Sequence, residues 1–201
     1  STKIVFRMTI GIAVYCAAIA WLVKSGVLER AFIPNGPVFM VGSVSIATAL
    51  GFTRIGYQIA TGLPVAWLVL FQGFRLPLEL VLHDWYLSGI IPKTMTWTGG
   101  NWDIVSGVLA CATFAFVTNR RWLAWVFNIV GILLLLNVSR VAVLFSAVPF
   151  GWPVDPPLEL ILHLPYAFIV LICVGGAALG HVLLTRRLVI ESRTTAGRDA
   201  S

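Results

Sequence analysis

The chain has 201 residues, of which 59% are hydrophobic and only 11% charged, and its formal net charge is +6. Soluble domains carry about a quarter charged residues, so this composition excludes an ordinary water-soluble fold and predicts an all-α, polytopic bundle of transmembrane helices. The basic residues are scattered at the ends of apolar stretches and form no basic helix face, which excludes nucleic acid and leaves the lipid bilayer as the expected partner.

Six spans are predicted, over residues 4–23, 37–59, 63–88, 102–118, 122–146 and 158–184, each long enough for a hydrocarbon core of about 30 Å. They make one helical domain, 1–190, and a short polar tail, 191–201, expected to be disordered. Lys3 and Ala18-Ile19-Ala20 imitate a cleavable leader, but the apolar run continues through Trp21, Leu22 and Val23, so a retained helix is expected. Pro34-Asn35-Gly36-Pro37 predicts a turn before the second span, and Gly62 with Pro64 another before the third.

The third span holds Gln72, Arg75, Glu79 and His83, the last three spaced by four so that they share one helical face. An ionisable side chain near mid-bilayer costs about 2.5–3.5 kcal/mol on insertion scales, so this stripe is expected to face other helices or a water-filled cavity. The fourth span opens with Asn101, Asp103 and Ser106, the fifth closes with Asn137 and Arg140, and the sixth opens with Glu159 and His163. Each set has helical spacing and each falls in the outer half of the membrane, so one buried cluster is expected of Arg75, Glu79, His83, Asp103, Ser106, Asn137, Arg140, Glu159 and His163.

With six spans the two termini share a side, and that side collects Lys3, Arg7, Arg54, Arg120, Arg121, Arg186, Arg187, Arg193 and Arg198, against Lys24, Arg30 and Lys93 on the other. The positive-inside rule then sets both termini in the cytoplasm of a multi-pass inner-membrane protein. Trp85, Tyr86, Trp97, Trp102 and Trp152 form the expected outer aromatic belt.

Structural readings compete at several of these positions. Arg75 and Glu79 suit a within-helix ion pair beside a kink at Pro77 that frees the carbonyl of Gly73. Arg140 suits snorkelling to outer headgroups, His163 a satisfied interfacial histidine, and Asp103 a first-turn carboxylate at a helix start. Cys16, Cys111 and Cys173 lie in apolar stretches without metal-ligand spacing, and His181 is expected at the cytoplasmic end, away from the other histidines. No metal, haem or other cofactor is expected.

The order of Asp103-Ile104-Val105-Ser106-Gly107, Asn137-Val138-Ser139-Arg140 and His163 resembles exosortases and archaeosortases, membrane transpeptidases that process C-terminal sorting signals. That family carries an acidic-x-Cys-Ser-Gly motif, an Asn-x-x-Arg motif and a following His, and the resemblance covers roughly residues 101–170. It implies a thiolate nucleophile, an Arg that steadies developing charge and a His that assists proton transfer. Val105 stands where the family has Cys. Cys111, six residues on, points away from Val105 and lies deeper, and Ser106 is turned by about 100° from it. Phe74-Arg75-Leu76-Pro77-Leu78-Glu79, with Met95-Thr96-Trp97 through Asn101-Trp102-Asp103-Ile104, also resembles a family of bacterial integral membrane proteins of uncharacterised function.

The expected function is therefore a non-catalytic binding or accessory component of an envelope system, with a peptide or another membrane protein as partner and no catalytic residue. A structural subunit of a larger complex, a transporter or channel lined by Arg75, Glu79 and His83, and an acid/base hydrolase using Asp103 or Glu159 with His163 are the alternatives.

Overall fold

The computed structural model describes residues 2–30, 32–146 and 148–199, and every regular element among them is helical. The long helices are α1 (Thr2–Lys24), α3 (Phe32–Phe52), α8 (Arg121–Leu144) and α9 (Gly175–Asp199). Shorter helices are α2 (Val27–Arg30), α4 (Arg54–Gly62), α5 (Val65–Phe71), α6 (Arg75–Leu87) and α7 (Ile104–Thr113). Three stretches are long and apolar enough to cross a bilayer, Val65–Leu87, Arg121–Leu144 and Ile169–Thr194. A fourth joins them if Val38–Phe52 and Arg54–Gly62, bent by 67°, count as one.

Several boundaries differ from the sequence reading. Pro34 falls in the first turn of α3 instead of a loop, where its missing N–H costs no helical hydrogen bond. The stretch 37–59 does not run straight: α3 ends at Phe52 and α4 leaves at an angle. The carbonyls freed at this corner are taken by Arg186, which donates to Gly51 O at 2.8 Å and Thr53 O at 2.9 Å. Thr53 Oγ1 in turn accepts from Gly56 N at 3.2 Å and caps α4.

The stretch 102–118 is helical for only ten residues, because Thr113 Oγ1 turns back to Leu109 O and the chain passes into turns at 114–119. Residues 158–168 are short turns, and the last long helix begins at Ile169 with a π-helical stretch to Val174. Its far end is helical to Asp199, where a disordered tail was expected. The side chains of Lys3, Arg7 and Arg198, three of the basic residues used for the topology, lie outside those described.

α9 is the centre of the bundle. It packs against α3, α4, α5 and α8, while α7 lies in the angle of α5, α6 and α8. Val69, Ala110, Val117, Ala124 and Leu184 are fully buried where α5, α7, α8 and α9 meet.

Candidate functional site

The site is built on the break between α5 and α6. Residues 72–74 form one 3₁₀ turn between α5 and α6, and Pro77, where a kink was expected, sits in the first turn of α6. Gln72 is fully buried and donates to Ala177 O at 3.0 Å, which ties the break to α9. Arg75 then opens α6 with its side chain directed into the bundle at 1% exposure.

Glycine brings the next element within reach. A Cβ on Gly107 would lie 2.5 Å from the backbone nitrogen of Leu76, so only glycine lets α7 approach α6 this closely. Asp103, just before α7, and Ser106, in its first turn, therefore meet Arg75. Arg75 Nη1 donates to Ser106 Oγ at 2.7 Å and to Gly131 O of α8 at 3.4 Å, and lies 3.2 Å from Asp103 Oδ1. The Asp103 contact is an ion pair without hydrogen-bond alignment, and Nε and Nη2 of the guanidinium find no partner among the described residues.

Glu79 is held separately, one turn along α6. Its Oε1 accepts from Asn101 Nδ2 at 2.7 Å, and the same amide nitrogen reaches Met95 O at 3.1 Å. Asn101 Oδ1 accepts from Asp103 N at 3.0 Å, closing an Asx turn that fixes both carboxylates. Glu79 Oε2 is buried without a partner among the described residues. The protein thus sequesters one guanidinium and two carboxylates within a few contacts of one another, in surroundings where an unpaired charge is costly.

Arg75, Glu79 and Asp103 all line a cavity of about 320 Å³. Its remaining walls are almost entirely apolar, from Met40, Val41 and Val44 on α3, Leu135 and Val138 on α8, and Val170 and Ala177 on the last long helix. An apolar chamber with a few convergent polar groups is the ordinary form of a small-molecule site.

Of the nine residues expected to cluster, Arg75, Glu79, Asp103 and Ser106 come together. The other five lie outside the cavity wall. His83 stacks on Trp97, ring centroids 4.2 Å apart. Asn137 donates to Gly100 O at 2.8 Å and pins the α8 end to the loop before α7. Arg140 is exposed and donates to Asn137 Oδ1 at 2.9 Å. It follows Ile129, Leu133 and Leu136 along the exposed stripe of α8, so equal depth did not mean equal direction. Glu159 and His163 are both about half exposed and 3.7 Å apart, on the turns that precede the last helix. Val105 points outward at 43% exposure, opposite to Asp103 and Ser106.

A second buried polar group escaped the sequence reading. His181, expected near the cytoplasm, is 2% exposed, and a Cβ on Gly131 would collide with its ring. Thr185 Oγ1 donates to His181 O at 2.8 Å, so it accepts from Asn128 Nδ2 at 2.7 Å, and Asn128 Oδ1 is left to face His181 Nδ1 at 2.9 Å. This chain of donors assigns the proton of the neutral ring to Nδ1 and leaves Nε2 as a buried lone pair with no donor among the described residues. The signal was present: Asn128 interrupts the apolar run from Trp122 to Leu136, and His181 and Thr185 are four apart. Among the described residues no group of three or more His, Cys, Asp or Glu is placed to hold a metal ion.

No curated protein and no solved structure matches the chain. A family model described as a domain of unknown function, DUF8737, matches residues 37–189, a stretch that holds the cavity, the Arg75 cluster and the His181 group. The chain belongs to the DUF8737 family of domains of unknown function.

Proposed function

We propose that this protein is a multi-pass membrane binding component, an accessory of an inner-membrane envelope system, which holds an amphipathic ligand or peptide without covalent chemistry. The observation that carries the reading is the cavity itself: apolar walls with Arg75 and Glu79 in its lining, each of which has buried polar atoms that find no partner among the described residues. A protein that only needed to fold would be more stable with apolar residues of similar volume there. The likeness to exosortases supports an envelope role, and Val105, which has no heteroatom, argues against their thiol chemistry.

Six crossings with both termini cytoplasmic belong to the same proposal. Asn137 contacts Gly100, whereas Arg121 opens α8 sixteen residues earlier, so residues 100–121 return along about 24 Å of α8. This supports α7 and the turns after it as a short fourth crossing. A path lined by the whole Arg75, Glu79 and His83 stripe is disfavoured, because His83 is occupied by Trp97.

The test is native mass spectrometry of the protein extracted from its own membrane, alongside a cavity-filling variant, Ala142→Phe. Wild type should carry a bound amphiphile or peptide that the variant lacks at equal folding. Empty wild-type protein that no amphiphile or apolar peptide stabilises would overturn the reading.

A further inference from the structure

The rim of the cavity indicates where its occupant comes from. Val41 of α3 and Leu136 of α8 both line it, yet they are 66% and 61% exposed, in the middle of long apolar helices. α3 and α8 each pack on α9 and leave the cleft between themselves. The mouth therefore opens sideways, into the hydrocarbon layer, and admits a molecule already dissolved in the bilayer.

Its inner end sets the head group. Arg75 and Glu79 both line the cavity, and two N–H positions of Arg75, Nε and Nη2, and one acceptor of Glu79, Oε2, are buried without a partner among the described residues. They stand one helical turn apart on α6, about 5–6 Å between Cβ atoms. An occupant that satisfies both presents an acceptor to Arg75 and an N–H donor to Glu79. An anionic head would bring a third negative charge beside Asp103 and Glu79, and a quaternary ammonium has no hydrogen to give Oε2. Resting on the binding function proposed above, we infer that the cavity is a lateral site for a zwitterionic aminophospholipid, phosphate towards Arg75 and primary ammonium towards Glu79. The short ethanolamine link separates those two charges by a span comparable to one helical turn, and the acyl chains follow the apolar walls out through the Val41–Leu136 mouth.

The experiment reconstitutes the protein in nanodiscs of equimolar phosphatidylethanolamine, phosphatidylcholine and phosphatidylglycerol, then reads retained lipid by native mass spectrometry after transfer to detergent. Phosphatidylethanolamine should be enriched over phosphatidylcholine by about tenfold, the worth of one charge-assisted hydrogen bond. Glu79→Gln should bring that enrichment close to unity. Leu136→Trp, a lipid-facing change that needs no repacking of the core, should lower retention of every lipid without moving the melting temperature, and serves if Glu79→Gln does not fold. Retention of lipids without head-group preference would overturn the aminophospholipid assignment and leave the binding function standing. A second copy of the chain in place of lipid would also overturn it, and no retained species at all would remove both.

Discussion

At Arg75 the sequence displayed the charge and the structure chose its partner. The four-residue spacing to Glu79 suggested an ion pair within one helix, but Arg75 turns to Asp103 and Ser106 while Glu79 goes to Asn101. That Arg75 and Glu79 would be buried was legible, because they lie midway along an apolar run. Who meets whom was not, because it depends on how closely α7 can approach, and that is set by Gly107. Arg75→Leu and Asp103→Leu should each destabilise by about 3–5 kcal/mol, and the double variant by clearly less than their sum, since each single change strands a buried charge. Denaturant unfolding in detergent measures the cycle, and simple additivity would refute the pairing. Restoring a thiol at Val105 should not restore a sortase centre: a Val105→Cys thiol should react with a membrane-soluble maleimide and show no dependence on Arg75. The ring of His181 gives a further check, as its ¹⁵N spectrum should show the proton on Nδ1 and a bare Nε2, and the opposite tautomer would break the chain of donors read from Thr185.

At the scale of elements, the misplaced histidine shows how an error in one boundary propagates. Starting the last span at residue 158 carries His181 almost to its far end, whereas a start at Ile169 leaves it mid-helix, level with Gly131. Leu158, Leu160 and Ile161 are apolar and buried yet lie before the last helix, in irregular chain and a 3₁₀ turn, and hydropathy cannot distinguish core from span. Arg140 differs for another reason: its place along α8 does not set its facing, and it falls on the exposed stripe with Leu133 and Leu136. The α7 contact yields a prediction of its own. Gly107→Ala forces a methyl against the Leu76 backbone and should cost about 1–3 kcal/mol, as overpacking does, whereas Gly11→Ala, with open space around it, should cost nothing measurable by the same unfolding assay.

For the whole molecule, the clustering of charges at one end of the bundle agrees with the composition of its sequence. Arg121 and Arg187 both reach Glu191, at 3.0 and 2.8 Å, and Arg187 also holds Thr61 O at 2.7 Å, so the ends of α4, α8 and α9 are tied at a single level. Cysteines placed beside Arg120 and after Arg187 should react only from the cytoplasmic side, and those near Gly99 and Asp155 only from outside. Reversed labelling would invert the topology and the direction of the site. The Arg75 cluster also has a history in time. α6 leaves the ribosome carrying Arg75 and Glu79 before Asn101, Asp103 and Ser106 have emerged, so at that moment both charges lack the groups that later receive them. At about 2.5–3.5 kcal/mol for each charge on insertion scales, that helix is a poor candidate for release into lipid on its own. Biogenesis should therefore wait for α7: nascent chains cut just before Asn101 should remain at the insertion machinery, and chains extended past Ser106 should integrate, with the order in which the residues are translated setting the order in which the membrane accepts them.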